Sequence, residues 1–119
     1  MNWPGPLETV AEVDIETTRG GDAPVHRTII WIVVEDGEVY VRSLRGEDGR
    51  WYRELMANPD SALHVEGEAV PVHAVRADDP ESVARATAGF RRKYAGSPYL
   101  DSMIRDEIAS TTVRLEARG

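Results

Sequence analysis

The residues best suited to chemistry are Tyr40-Val41-Arg42-Ser43-Leu44-Arg45-Gly46, followed at once by Gly49-Arg50-Trp51-Tyr52-Arg53. Four arginines fall within twelve positions of a chain whose formal net charge is -7. Two glycines and a serine lie among them, and a strand pattern leads into them. Planar guanidinium groups beside free backbone N–H groups at a strand-to-helix junction suit an anion such as a phosphate. The same arginines could instead pair with Glu47, Asp48 and Glu54 on a solvated surface. Sequence alone leaves both readings open.

Other candidate groups carry less. His26, His64 and His73 lack metal-ligand spacing, and the pattern allows His64 and His73 to face each other across a hairpin. Glu12, Asp14 and Glu16 alternate, which makes them one exposed strand face rather than an acid/base pair. Ser43 has no base near it in sequence, so nucleophilic catalysis has no support. Arg91-Arg92-Lys93 fits the negative end of a helix. With no cysteine, thiolate metal sites, iron–sulfur clusters and a cysteine nucleophile are excluded.

The elements that must position the arginines follow from periodicity. Residues 9–18 alternate, with Ala11, Val13 and Ile15 on one face, and predict a half-buried strand. Residues 19–24 are a loop of breakers. Thr28 to Val34 is almost continuously apolar and reads as one strand covered on both faces, by a barrel interior, a ligand or a partner subunit. Asp36-Gly37 marks a tight hairpin. The returning strand, Glu38 to Leu44, separates Val39, Val41 and Ser43 from Tyr40, Arg42 and Leu44. A helix is predicted over about 49–57, stopped by Asn58-Pro59. A second hairpin turns at Glu66-Gly67, with Pro71 implying an edge strand or bulge.

Asp79-Pro80-Glu81 starts a helix that carries Val83, Thr87, Phe90 and Tyr94 at helical spacing. A second short helix is expected over 99–108, then a closing strand over 111–116. The sum is a small antiparallel β-barrel with appended helices, α+β in class.

The 119 residues fit one domain, with residues 1–8 flexible or loosely docked. The first residues lack a secretory pattern, and no apolar stretch reaches membrane-spanning length. The acidic balance, 21 Asp and Glu against 14 Lys and Arg, argues against nucleic-acid binding. A cytoplasmic location fits these features.

Arg27-Thr28-Ile29-Ile30-Trp31, the Asp36-Gly37 hairpin, Tyr40-Val41-Arg42-Ser43 and Leu55-Met56-Ala57-Asn58-Pro59 together resemble the flavin-binding split-barrel superfamily. That group includes the pyridoxamine-phosphate-oxidase-like flavoproteins. Within it, residues 40–46, Trp51-Tyr52-Arg53, Tyr94 and Thr111-Thr112-Val113-Arg114-Leu115 resemble the uncharacterised domain of unknown function 2255. Trp51-Tyr52, Leu55 and Ala57-Asn58-Pro59 are also similar to the deazaflavin-dependent nitroreductases.

The resemblance implies a homodimer with FMN or a deazaflavin coenzyme at or near the subunit interface, and oxidoreductase chemistry. It places Arg27, Thr28, Ile30 and Trp31 along the ring. Arg42, Ser43, Arg45, Arg50 and Arg53 become phosphate candidates. Trp51 reads either as a ligand wall or as an amphipathic helix residue backed by Leu55, and Trp31 in its apolar strand also reads as core or dimer packing. The oxidases carry an Arg-Lys pair soon after the serine, whereas Leu44 to Gly49 intervene here without a lysine. Two other readings remain: a dimeric binding module with an altered ligand, and an interaction protein that uses its apolar strand for assembly alone.

Overall fold

The computed structural model describes residues 2–118. Among them the strands are β1 (Val13–Thr18), β2 (Val25–Ile30), β3 (Val33–Glu35), β4 (Glu38–Val41), β5 (Asp60–Val65), β6 (Glu68–Arg76) and β7 (Val113–Ala117). The α-helices are α1 (Arg50–Ala57), α2 (Pro80–Lys93) and α3 (Leu100–Met103). The strands form one antiparallel sheet in the order β2-β1-β5-β6-β7-β4-β3.

β2 and β3 are consecutive in the chain yet sit at opposite ends of that order. Only Trp31 and Ile32 join them, and the three steps from Ile30 to Val33 reach at most about 11 Å. The sheet must therefore curl until its two edges are neighbours. This is a split barrel, α+β in class, closed by a covalent corner instead of a hydrogen-bonded ladder.

The corner corrects the expectation of one continuous strand over 28–34. The apolar run is two strands with different covers. Ile30, Ile32 and Val34 point into the barrel with Val13, Ile15, Val39, Val41, Leu63 and Leu115. Val33 and Tyr40 point outward, under Phe90, Tyr94 and Ala86 of the α2 segment. Gly89 lets α2 lie against β3, because a Cβ there would come within 2.9 Å of the Glu35 side chain and 3.1 Å of Val33. Ile29, on the outer face of β2, stays 64% exposed.

The local signals act where the sequence puts them. Asp36 and Gly37 take φ of 51° and 77°, and Glu66 and Gly67 take 51° and 81°, so both hairpins close with left-handed residues. Asp79 caps α2 by accepting from Ser82 N, with Pro80 in the first turn.

Three other expectations differ. α3 stops at Met103 instead of running to residue 108, and a 3-10 turn follows over Asp106–Thr111. The Met103 carbonyl, which a longer helix would give to the amide of residue 107, accepts from Arg42 instead. β6 is interior to the sheet, but Pro71 lies one residue beyond the Val72–Ala117 end of its ladder with β7, where no strand partner needs its missing N–H. His64 and His73 do not face each other. The Glu66-Gly67 turn pairs His64 with Ala69 and His73 with Asp60. The side chain of His64 meets Glu16 and that of His73 meets Asp60, each at 2.8 Å.

Candidate functional site

Past β4 the chain keeps its alternation for two residues and then turns. Arg42 continues the outward face of Tyr40. Ser43 is fully buried, its N–H donating to Thr111 Oγ1 at 3.1 Å and its carbonyl accepting from Gly46 N at 2.9 Å. Thr111 in turn donates to the Ile108 carbonyl at 2.7 Å. Arg105 fixes the next residue by donating to the Leu44 carbonyl at 2.8 Å. The loop is thus held from the 105–111 segment before it reaches α1.

Gly49 is the N-cap residue of α1 and offers no side-chain cap. Its role is spatial: a Cβ on Gly49 would lie 2.4 Å from Ser43 Oγ. Only glycine lets the helix start this close to the serine. The first amides of α1 have no acceptor within the helix, as at any helix start. α1 is tied down from its far side. Glu54, nearly buried, accepts from Thr17 Oγ1 of β1 and pairs with His26 Nδ1 of β2, both at 2.8 Å.

These elements surround a two-lobed cleft. A polar lobe of about 400 Å³ is lined by Thr28, Ile29, Ser43, Leu44, Arg45, Gly49, Arg50 and Trp51. An apolar lobe of about 310 Å³ adjoins it, its walls including Ile30, Trp31, Trp51, Tyr99 and Met103. Ile29, Leu44 and Trp51 belong to both. Two hydroxyl oxygens of the polar lobe, Thr28 Oγ1 and Ser43 Oγ, are buried with no hydrogen-bond partner among the described residues. Buried hydroxyls are usually paired, and hydroxyls so placed can bond a group from outside the chain; Tyr52 Oη and Ser61 Oγ, outside the cleft, are likewise buried without a partner among the described residues.

The sequence candidates sort by this geometry. Thr28, Ser43, Arg45, Arg50 and Trp51 meet in the polar lobe. Ile30, Trp31, Arg42 and Trp51 meet in the apolar lobe. Arg27 lies outside both and pairs with Asp14 at 3.1 Å. Arg53 is exposed and lines neither. Among the described residues none of Arg42, Arg45, Arg50 and Arg53 pairs with Glu47, Asp48 or Glu54, so the surface ion-pair reading of that cluster fails in this form.

Arg42 takes a different place from its neighbours. It is 2% exposed and ties four elements together. Its Nε donates to Thr112 Oγ1 at 2.9 Å, and its terminal nitrogens to Thr87 Oγ1, Met103 O and Val83 O. The Phe90 ring lies 5.3 Å away. Burial pulls its pKa down to about 10.

The profile of the family described as "Uncharacterized protein conserved in bacteria (DUF2255)" matches residues 6–115. The chain belongs to that family. No curated protein matches its sequence. Solved structures share the fold. One is a conserved hypothetical protein of Mycobacterium tuberculosis, with a TM-score of 0.67 at 21% identity, over 92% of this chain and 74% of the other. A second is an F420-H2-dependent reductase, at 0.64 and 16%, over 92% and 98%. A candidate pyridoxamine 5'-phosphate oxidase from Listeria innocua gives 0.60 and 12%, over 92% and 83%. At these identities the likeness establishes the split-barrel fold and no activity.

Ile29, Leu44 and Gly49 line the cleft of this family member from within the sequence motifs without having been nominated as ligand residues, and Glu12, Tyr99 and Met103 line it from outside them. Leu44 and Tyr99 bear one visible signal, being large apolar residues at positions the periodicity leaves outside the core; they are 44% and 67% exposed. No group of three or more His, Cys, Asp or Glu side chains among the described residues could hold a metal. No described helix is long and apolar enough to cross a membrane.

Proposed function

We propose that the cleft binds a phosphorylated planar cofactor of the flavin or deazaflavin type, and that the protein is an oxidoreductase acting through it as a homodimer. The observation that carries this reading is the pair of unpartnered hydroxyls, Thr28 Oγ1 and Ser43 Oγ, in the lobe that also holds Arg45, Arg50 and the start of α1. Hydroxyls, guanidinium groups and helix-start amides together are the donor set a phosphate accepts from. The adjoining lobe has indole walls from Trp31 and Trp51 and an aliphatic wall from Ile30, suited to a ring system.

Thr28, Ser43, Arg45 and Arg50 would hold the phosphate, and Ile30, Trp31 and Trp51 the ring. Such a ring, once bound, supplies hydride transfer by itself. The chain's part is to bind, orient and exclude water. That division of labour suits a cleft whose only lining carboxylate, among the described residues, is Glu12.

A second copy of the chain would close the mouth. Val25, Ile29, Leu44 and Tyr99 are large, exposed and apolar, and three of them line the cleft. The test is spectroscopic titration with FMN, riboflavin and the deazaflavin coenzyme, with light scattering to give the mass. Micromolar binding of FMN or the deazaflavin coenzyme by a dimer, with riboflavin much weaker, is expected. Equal binding of FMN and riboflavin would remove the phosphate site, and no binding of any of them would end the cofactor reading.

A further inference from the structure

We propose that the apolar lobe is built to take a planar aromatic anion, and that Arg42 selects for its negative charge. The inference rests on the cleft being a ligand site but not on the phosphate lobe or on any one cofactor.

The starting point is an electrostatic imbalance. Arg42 is 2% exposed and lines the apolar lobe, and no carboxylate of the described residues lies within 4 Å of it. All four of its hydrogen-bond acceptors are neutral: two threonine hydroxyls and two carbonyls. Such bonds satisfy donors, yet they leave the net charge in place, and a buried charge without a counter-charge is costly. The Phe90 face offsets part of this and cannot neutralise it. Stitching β4 to α2, α3 and the start of β7 requires donors, not a cation. A cation kept where desolvation opposes it points to a counter-charge that arrives with a ligand.

The lobe's other ionisable wall group, Glu12, is exposed and acts at a different point. Its charge bears weakly on Tyr94, the residue stacked on Trp31, and it forms no ion pair with Arg42. The two charged wall groups thus sit apart, Glu12 toward the Trp31–Tyr94 stack and Arg42 on the Met103 carbonyl. Indole, phenol and thioether walls in about 310 Å³ favour a flat aromatic body. A delocalised monoanion, such as an aryl carboxylate or the enolate-like edge of a reduced ring, fits both the walls and the charge. A tetrahedral, strongly hydrated phosphate fits the neighbouring lobe instead.

The probes are 2-naphthoate and its neutral isostere 2-naphthamide, titrated at pH 7 against tryptophan fluorescence, with and without FMN. A charge-assisted hydrogen bond predicts that the carboxylate binds about tenfold tighter than the amide. Arg42→Gln should erase that preference. Because Arg42 joins four elements and that variant could unfold, the double variant Arg45→Ala/Arg50→Ala is the second test: the preference should survive it, and its loss there would assign the selection to the polar lobe and overturn the proposal. Equal affinities, tighter binding of the amide, or no binding of either probe would overturn the proposal. Naphthoate displaced by FMN assigns the anion to the edge of the cofactor ring, and naphthoate retained beside FMN assigns it to a second molecule. With the preference retained in the Arg45→Ala/Arg50→Ala variant, both outcomes support Arg42 as the charge-selecting residue. Failure of FMN to bind would remove the phosphate reading and leave this one standing.

Discussion

The Trp31 indole lies flat on the Tyr94 ring, with centroids 3.8 Å apart and planes 3° from parallel. Trp31 is the first residue of the corner that carries the chain from one sheet edge to the other, and Tyr94 caps the C-terminal end of α2. The Tyr94 hydroxyl accepts from Ile32 N at 3.1 Å and donates to Ala11 O at 2.6 Å. One side chain thus fixes the second corner residue by hydrogen bonding and the first by stacking. The Trp31 wall of the cleft is set by a residue 63 positions away in sequence.

Tyr94→Phe keeps the stack and orphans the Ile32 amide. A buried unsatisfied donor is worth about 1–3 kcal/mol, and urea denaturation should show a loss in that range. Tyr94→Leu also removes the stack and should move the tryptophan emission to the red, whereas Tyr94→Phe should not. Identical stability of Tyr94→Phe and wild type would mean that the corner is held by packing alone.

Local signals were legible because local physics decides them. The two left-handed hairpins, the Asp79 cap, the helix at Trp51 and the alternation of Val13 and Ile15 needed no distant partner, although Ala11, read on the same face, lies exposed before β1. The break at Trp31-Ile32 was not legible, since nothing in an apolar run says that its two halves serve opposite edges of one sheet. The end of α3 was hidden for the same reason: Arg42, 61 residues earlier, takes the Met103 carbonyl. Within the arginine cluster, type and spacing could nominate four cations. They could not separate Arg42, buried on the outer face under α2 by partners from distant segments, from Arg45 and Arg50 on the loop and helix start, or from Arg53 turned away.

That separation makes the arginines testable as a series. Arg45→Ala and Arg50→Ala should each weaken FMN binding while leaving riboflavin binding unchanged, since both line the polar lobe. Removing one charge-assisted hydrogen bond costs about 1.5–3 kcal/mol, roughly tenfold or more in Kd. Arg53→Ala, exposed and outside the cleft, should bind FMN as wild type does. Calorimetric titration of the three variants with both ligands checks the pattern, and a large effect at Arg53 would move the site.

Gly49 should tolerate no side chain. Its φ of -64° is open to any residue, so the constraint is steric and not backbone strain. In Gly49→Ala the new methyl would need the space of Ser43 Oγ, and overpacking of this kind costs about 1–3 kcal/mol. Either α1 or the serine must move, and both belong to the polar lobe. A fall in both thermal stability and FMN affinity is expected. An alanine variant with native melting and native affinity would show that Ser43 Oγ can turn away freely.

Glu54 holds the far side of α1, and its loss should be felt through two strands. Glu54→Ala removes the acceptor of Thr17 and the partner of His26 together. A loss of about 1.5–3 kcal/mol is expected for hydrogen bonds to a buried charged group. Thr17→Val should cost less, and the two should not add, because Thr17 has no acceptor once Glu54 is gone. A double-mutant cycle by chemical denaturation gives the coupling. Strict additivity would mean that the 2.8 Å hydrogen bond between Thr17 and Glu54 contributes nothing to stability.

Lys93 gives the pH dependence its sign. Burial, with a smaller push from Arg92, lowers its pKa from 10.5 to about 8. Its ammonium donates to the Leu7 and Ile32 carbonyls, which are neutral acceptors. Between pH 8 and 10.5 the unfolded chain therefore holds more protons at this site than the folded one. Where that is so, stability rises with pH. Below pH 8 the lysine is charged in both states, and the burial penalty is constant. Tyr94, pushed up to about 12 by burial, works in the opposite direction, but only above the ordinary tyrosine value of 10. Denaturation midpoints measured from about pH 8 to about 9.5 thus isolate the lysine: they should climb in the wild type and flatten in Lys93→Met. A flat wild-type profile, or an equal climb in the variant, would show that Lys93 keeps an ordinary pKa in the folded chain.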